Sequence, residues 1–347
     1  MRRVLCLLAA LLLCLSVPAA AENSRYTYTF YGTFDTVIIL VGYAPSREAF
    51  DAAAQVCEAE FRRLDLLYTP YLHSDTGNNL WALNNGAWKE PMAVDPDLMG
   101  LIGFCKEKQK TVSDVVNPAL GRVLMLWHNA RLQSEEDPWN AAIPGMDDLT
   151  EAFAHSDFDC VQTDTEAGTV FYTDSRLRLD FGAVAKGYAA GLVAEKLRGM
   201  LSSFSINAGG NIVLCGAPEN SSGAWKIAIQ DPNAPLYGDV TTLGWIERTD
   251  GAVVTSGDYQ RFFVVDGVSY HHIIDPATLM PARSVRAVTV ITRDSGTADF
   301  LSTACFILPY EESRALIESR PDAEALWVLP DGTVTWTDGF GLHTADE

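Results

Sequence analysis

The stretch from Tyr270 to Pro281, YHHIIDPATLMP, sets two histidines, His271 and His272, ahead of a carboxylate, Asp275. Such a trio offers three chemistries: a metal site, a general base with an orienting acid, or only a strand running into a turn. Neighbouring residues of a strand point to opposite faces, so His271 and His272 are not expected to grip one ion. A single histidine aimed into a polar cleft suits general-base work, because its pKa lies near neutrality. Just upstream, VVTSGDYQRFF places Thr255, Ser256 and Gly257 at a strand end, where hydroxyl and backbone groups could hold a ligand.

Three further segments carry candidate chemistry. In LDFGAVAKGYAA, Asp180 is expected to end a strand, Gly182 to turn the backbone, and Lys186 to lie in the first turns of a helix. A helix start with free N–H groups and an added cation would receive a phosphate, although a surface lysine on an alanine-rich helix gives the same pattern. INAGGNI holds Gly209 and Gly210 between Asn207 and Asn211. Paired glycines admit a flat or charged ligand close to the backbone, or simply turn the chain; the spacing is neither a P-loop nor a dinucleotide fingerprint. TADFLSTA puts Asp299 and Thr303 on one helix face, with Ser302 beside them. These hard oxygens suit Mg²⁺, and the alternative is a helix start capped by Thr297 with Asp299 in its first turn.

The elements that must position these groups follow from the remaining pattern. MRR, an apolar run and small residues with Ala19 and Ala21 read as an export leader over residues 1–21. Residues 22–347 are then one mature domain, since no Gly/Ser or Pro-rich linker divides them. The full chain has 45 acidic against 25 basic residues. Nucleic acid is excluded as a partner on that charge, and an anionic ligand would need a cation or a local positive site. Five cysteines remain after the leader, with no C-x-x-C pair, so they read as small core residues. Helices are expected over Ser46 to Tyr68, from Asp95, from Asn117, from Gly145, after Gly182, from Thr297 and from Tyr310. Strand-like runs surround them. Elements mixed without a regular strand–helix repeat indicate an α+β fold.

Taken in order, LDFGAVAKGYAA, INAGGNI, VVTSGDYQRFF, YHHIIDPATLMPA and ADFLSTA resemble the ApbE-type FAD:protein FMN transferases, as do YGTFDTVI and NNLWALNN nearer the N-terminus. The resemblance implies an ApbE-like, T-fold-like architecture of two lobes with FAD in the cleft between them. It implies Mg²⁺-dependent cleavage of FAD, with FMN passed through a phosphoester bond to a threonine of an acceptor protein and AMP released. That acceptor would be an FMN-binding-domain protein or a subunit of a redox complex. Hydrolysis of FAD to FMN and AMP, or flavin binding without turnover, are the competing readings. By position, Tyr71, Asn117, Asp180, Lys186 and Ile273 would contact FAD. The carbonyl of Ala183 with the side chains of Asp299, Ser302 and Thr303 would hold magnesium, and His272 would be the base. The work would be done outside the cytoplasm, including at the outer face of the cell membrane. The chain departs from the family pattern at Tyr31, at Gly191 and in SDTGNNLWALNN, which follows Tyr71.

Overall fold

The computed structural model describes residues 23–219, 223–233 and 241–344; the leader read over residues 1–21 lies outside them. Two β-branched and aromatic runs, β1 (Ser24–Thr33) and β2 (Thr36–Ala44), pair as an antiparallel hairpin. Its turn residues Phe34 and Asp35 both have positive φ, 52° and 50°. That geometry matches the twist of a hairpin but is uncommon outside glycine. The helix α1 (Arg47–Tyr68) starts where the Ser46 hydroxyl accepts the Ala49 N–H. A short helix, α2 (Leu80–Gly86), was not legible as a helix because its seven residues make only about two turns, too few to show a helical period.

The chain continues through β3 (Met92–Ala93), α3 (Pro96–Thr111), α4 (Gly121–Glu136) and α5 (Met146–Phe153). Asp95, expected near the start of this helix, is its cap, whereas Asn117 lies in a turn four residues before α4 begins. Next come β4 (Val161–Asp164), β5 (Thr169–Tyr172), α6 (Ala185–Leu197), β6 (Ser203–Ala208), β7 (Asn211–Cys215), β8 (Trp225–Gln230) and β9 (Thr242–Arg248). The last third is β10 (Gly251–Gly257), β11 (Phe262–Val265), β12 (Val268–His271), β13 (Ala287–Thr292), α7 (Ser295–Ile307), α8 (Tyr310–Glu318), β14 (Glu324–Val328) and β15 (Val334–Trp336).

Eight strands form one antiparallel sheet in the order β1-β2-β6-β7-β10-β13-β14-β15. Every residue of β13 is buried. Val288 and Val290 pack under α7 and α8, while Ala287 and Ile291 face the β8–β9 hairpin, so both sheet faces are covered there. This double burial is why AVTVIT reads as a nearly continuous apolar run. α1 and α6 cover the β2–β6–β7 end of the same sheet. A separate apolar cluster joins α4, α5 and the β11–β12 hairpin through Leu120, Trp127, Phe263, Ile274 and Leu279. The arrangement is α+β.

Two local expectations are corrected. Asp180 does not end a strand: only Arg178 makes a single bridge, to Leu120, and the chain from there to α6 is irregular. α7 begins at Ser295, with Asp294 rather than Thr297 as its cap, its carboxylate accepting the Thr297 N–H. Asp299 is therefore beyond the first turn of a helix that is buried along its whole length, and a capping role does not explain it.

Candidate functional site

A cavity of about 490 Å³ opens where the ends of β10 and α7 and the start of α6 face α4 and the β11–β12 hairpin. It is lined by Tyr71, Asn117, Asp180, Ala183, Lys186, His272, Ile273, Asp299 and Thr303. One end is aromatic. The Tyr71 ring stacks on His128 with centroids 4.3 Å apart and planes at 18°, and its hydroxyl donates to Asp180 at 3.3 Å. Burial raises the Asp180 pKa, opposed by the Gly182 N–H and this tyrosine. Trp127, Phe263 and Tyr270 extend the aromatic lining. The Asn117 amide is already committed, donating to the Ser156 carbonyl at 2.8 Å and accepting from Ala119 N–H at 2.9 Å. It shapes the wall and holds its turn.

At the other end three oxygen donors gather. Thr303 Oγ1 donates to the Ala183 carbonyl at 3.1 Å, bringing those two oxygens together across α7 and the chain before α6. Asp299, one turn earlier on α7, is 4 % exposed. Its Oδ2 accepts the Gly187 N–H at 2.7 Å, while Oδ1 has no hydrogen-bond donor among the described residues. The approach is so close that a Cβ on Gly187 would lie 2.5 Å from Asp299 Cβ; the glycine of AKG lets α6 touch α7. Burial pushes the Asp299 carboxyl up to about 6, with Lys186 pulling the other way. Among the described residues no cluster of three or more His, Cys, Asp or Glu could hold a metal. One carboxylate with two neutral oxygens and a free Oδ1 instead fits Mg²⁺, which takes few protein ligands and completes its shell with water and phosphate.

Ser302 stands apart from this set. Its hydroxyl is fully buried, donates to the Asp299 carbonyl at 3.0 Å and meets Ser256 Oγ at 2.9 Å, and it does not line the cavity. The helix start at α6 also differs from expectation. The Gly187 N–H points at Asp299, so Lys186, rather than that donor, is what α6 offers an anion. Burial lowers the Lys186 pKa, with Asp299 opposing and Arg261 reinforcing the shift.

His272 follows the last residue of β12 and lies open to the cleft. Its backbone N–H donates to the Arg261 carbonyl at 3.1 Å, and Nδ1 lies 3.3 Å from the same oxygen. A carbonyl only accepts, so Nδ1 carries the proton and Nε2 keeps its lone pair. Enclosure by the cleft walls, with the Arg261 and Lys186 cations near, pushes the His272 pKa down to about 3. At neutral pH it is an uncharged base. His271 points the other way, as strand alternation requires: 2 % exposed, with Nε2 donating to Ala282 O and Nδ1 accepting from Ile273 N–H. Asp275 binds Ala277 N–H and the Thr278 hydroxyl, so it holds the turn and does not orient His272.

Gly209 and Gly210, at φ 60° and 90°, make the tight β6–β7 turn, and Gly209 and Asn211 line the cavity. Two participants were not singled out from sequence. His128 is hidden within the apolar pattern of α4, and Arg261 sits within VVTSGDYQRFF without a spacing signal; only folding brings them to the cleft.

Comparison with known proteins gives a consistent result. The ApbE family model matches residues 25–327. The chain is similar to the FAD:protein FMN transferase of Treponema pallidum (strain Nichols), 37% identical over 277 residues, 75% of this chain and 73% of that protein. It is 31% identical over 248 residues to a FAD:protein FMN transferase of Klebsiella pneumoniae (strain 342), 71% of this chain and 73% of the relative. Among solved structures, the ApbE protein of Thermotoga maritima superposes with a TM-score of 0.79 at 28% identity, covering 91% of this chain and 98% of that one.

Proposed function

The chain belongs to the ApbE family, and from that premise we infer that it is an FAD:protein FMN transferase, moving FMN from FAD to an acceptor protein. The observation that carries the reading is the convergence, in one cleft, of a neutral histidine with a free Nε2, a half-buried lysine and a set of oxygen donors. The acceptor nucleophile is a threonine hydroxyl. His272 Nε2 takes its proton as the oxygen attacks the phosphorus on the FMN side of the pyrophosphate. A new P–O bond to the acceptor forms, the bridging P–O bond breaks, and AMP departs with the electron pair. Transfer of this kind needs positioning and charge neutralisation more than covalent help from the protein.

Lys186 provides a positive charge against the acidic chain. Asp299, Thr303 and the Ala183 carbonyl would hold Mg²⁺, which when bound neutralises pyrophosphate charge. Tyr71 and His128 offer ring faces for FAD, and Ile273 an apolar edge. The leader supports work outside the cytoplasm, on an exported acceptor protein at the outer face of the membrane.

The test is incubation of the protein with FAD, Mg²⁺ and candidate threonine-bearing acceptors, followed by in-gel flavin fluorescence. Covalent labelling that requires Mg²⁺ is expected. AMP release at the same rate with and without acceptor, and no labelled protein, would replace transfer by hydrolysis; intact FAD after long incubation would leave a binding protein.

A further inference from the structure

We propose that Arg261 is a second phosphate-binding residue of the cleft, acting beside Lys186 on the pyrophosphate of FAD; this rests on the transferase reading above. Three Lys or Arg side chains line the cavity: Arg131, Lys186 and Arg261. Arg131 is neutralised by Glu135 at 2.5 Å. Among the described residues, Arg261 donates only to neutral carbonyls, from Nη2 to Phe34 O at 3.0 Å and Asp35 O at 3.3 Å. Both bonds use one nitrogen. The N–H groups of Nε and Nη1 have no protein acceptor there, and the positive charge has no paired carboxylate.

In a chain with 45 acidic and 25 basic residues, carboxylates to pair an arginine are plentiful. An arginine left without one in a concave site that Lys186 also lines is suited to a counter-ion that arrives with the ligand. The guanidinium also belongs to the same charge cluster as the rest of the site, since it lowers the pKa of Asp180, Lys186 and His272. Its fork suits adjacent phosphate oxygens better than an ammonium would. The two carbonyl bonds fix the guanidinium in place, because they anchor it to the positive-φ turn between β1 and β2. The same residue's carbonyl orients His272, so base and phosphate cation are set by one short segment.

The alternative is that Arg261 is only a strut for that turn. Arg261→Gln removes the charge and, being shorter, also gives up the Nη2 bonds to the turn, so the two roles are separated by which ligands lose affinity. Binding of FAD, riboflavin and inorganic pyrophosphate to wild type and variant is to be measured, with flavin fluorescence for the first two and competition against FAD for the third. A phosphate contact predicts that FAD and pyrophosphate both weaken by about 10- to 100-fold, while riboflavin stays within about twofold. Arg261→Lys should recover part of the FAD affinity and carries the same comparison if the glutamine variant does not fold. Equal losses for FAD and riboflavin, or unchanged FAD binding, would overturn the proposal. Failure of the wild type to label any acceptor while these affinities split as expected would instead count against the transferase reading.

Discussion

Asp299→Asn should make the metal-free protein more stable while removing its activity. In the fold the carboxyl titrates at about 6, against an ordinary value of 3.8, because burial disfavours its charge more than Lys186 and the Gly187 N–H favour it. Between those two values the folded state binds more protons than the unfolded chain, so stability from this group is lost as pH rises through 6. At 1.36 kcal/mol per pKa unit the raised pKa costs the fold about 3 kcal/mol at pH 7.5, where the carboxylate is ionised, and roughly half as much at pH 5, where the folded carboxyl is mostly protonated. Asparagine does not titrate and can still accept from Gly187. Urea denaturation in the presence of EDTA, followed by tryptophan fluorescence, should therefore show the variant more stable by up to roughly those amounts, with the gap narrowing at the lower pH. Added Mg²⁺ should stabilise the wild type, by binding only its folded state, and leave the variant unmoved. A variant no more stable than wild type at pH 7.5, or equally stabilised by Mg²⁺, would refute the idea that the fold carries this charge for a cation.

Removing the base by His272→Ala should leave FAD affinity nearly intact and reduce transfer by about 10²- to 10⁴-fold, read by flavin fluorescence and in-gel labelling; normal turnover would mean that another group takes the proton. In the metal-free wild type the His272 ring should show no NMR titration down to about pH 4.5, because its pKa is held near 3 by enclosure and two cations; a midpoint at 6 to 7 would show a solvated imidazole instead. Ser302→Ala loses two buried hydrogen bonds and should cost about 1–2 kcal/mol of stability with the Mg²⁺ requirement within about threefold of wild type; a tenfold shift would return Ser302 to the ligand set. Gly209→Ala places a methyl 2.1 Å from Thr36 Oγ1 at a φ of 60°, so a loss of at least about 1–3 kcal/mol is expected in thermal or urea melts.

Much of the fold was readable because its strands and long helices carry their own local signals. Ser46 before α1 and Asp95 before α3 are side-chain caps that act within three residues, and such short-range chemistry survives without knowledge of the partner elements. The errors fall where local and tertiary causes compete. Thr297 looked like a cap, yet Asp294 three residues earlier takes the Thr297 N–H. Asp180 followed an alternating run, but its segment is held by Asn84, which binds Leu179 on both N–H and carbonyl, and not by a neighbouring strand.

For the site, the order of short motifs already determined the family, the opposite facings of His271 and His272, and the pairing of Asp299 with Thr303 on one helix face. These depend on periodicities of 2 and 3.6 residues, which a sequence states directly. Tertiary structure alone decided which groups are free to act. It joined Thr303 to Ala183 across 120 positions, turned Ser302 inward to Ser256, spent the Gly187 N–H on Asp299, and set Arg261 against a turn some 226 residues away. Charge and hydrogen-bonding capacity are properties of residue types, but whether they are already satisfied depends on neighbours distant in sequence, and only the folded chain supplies those.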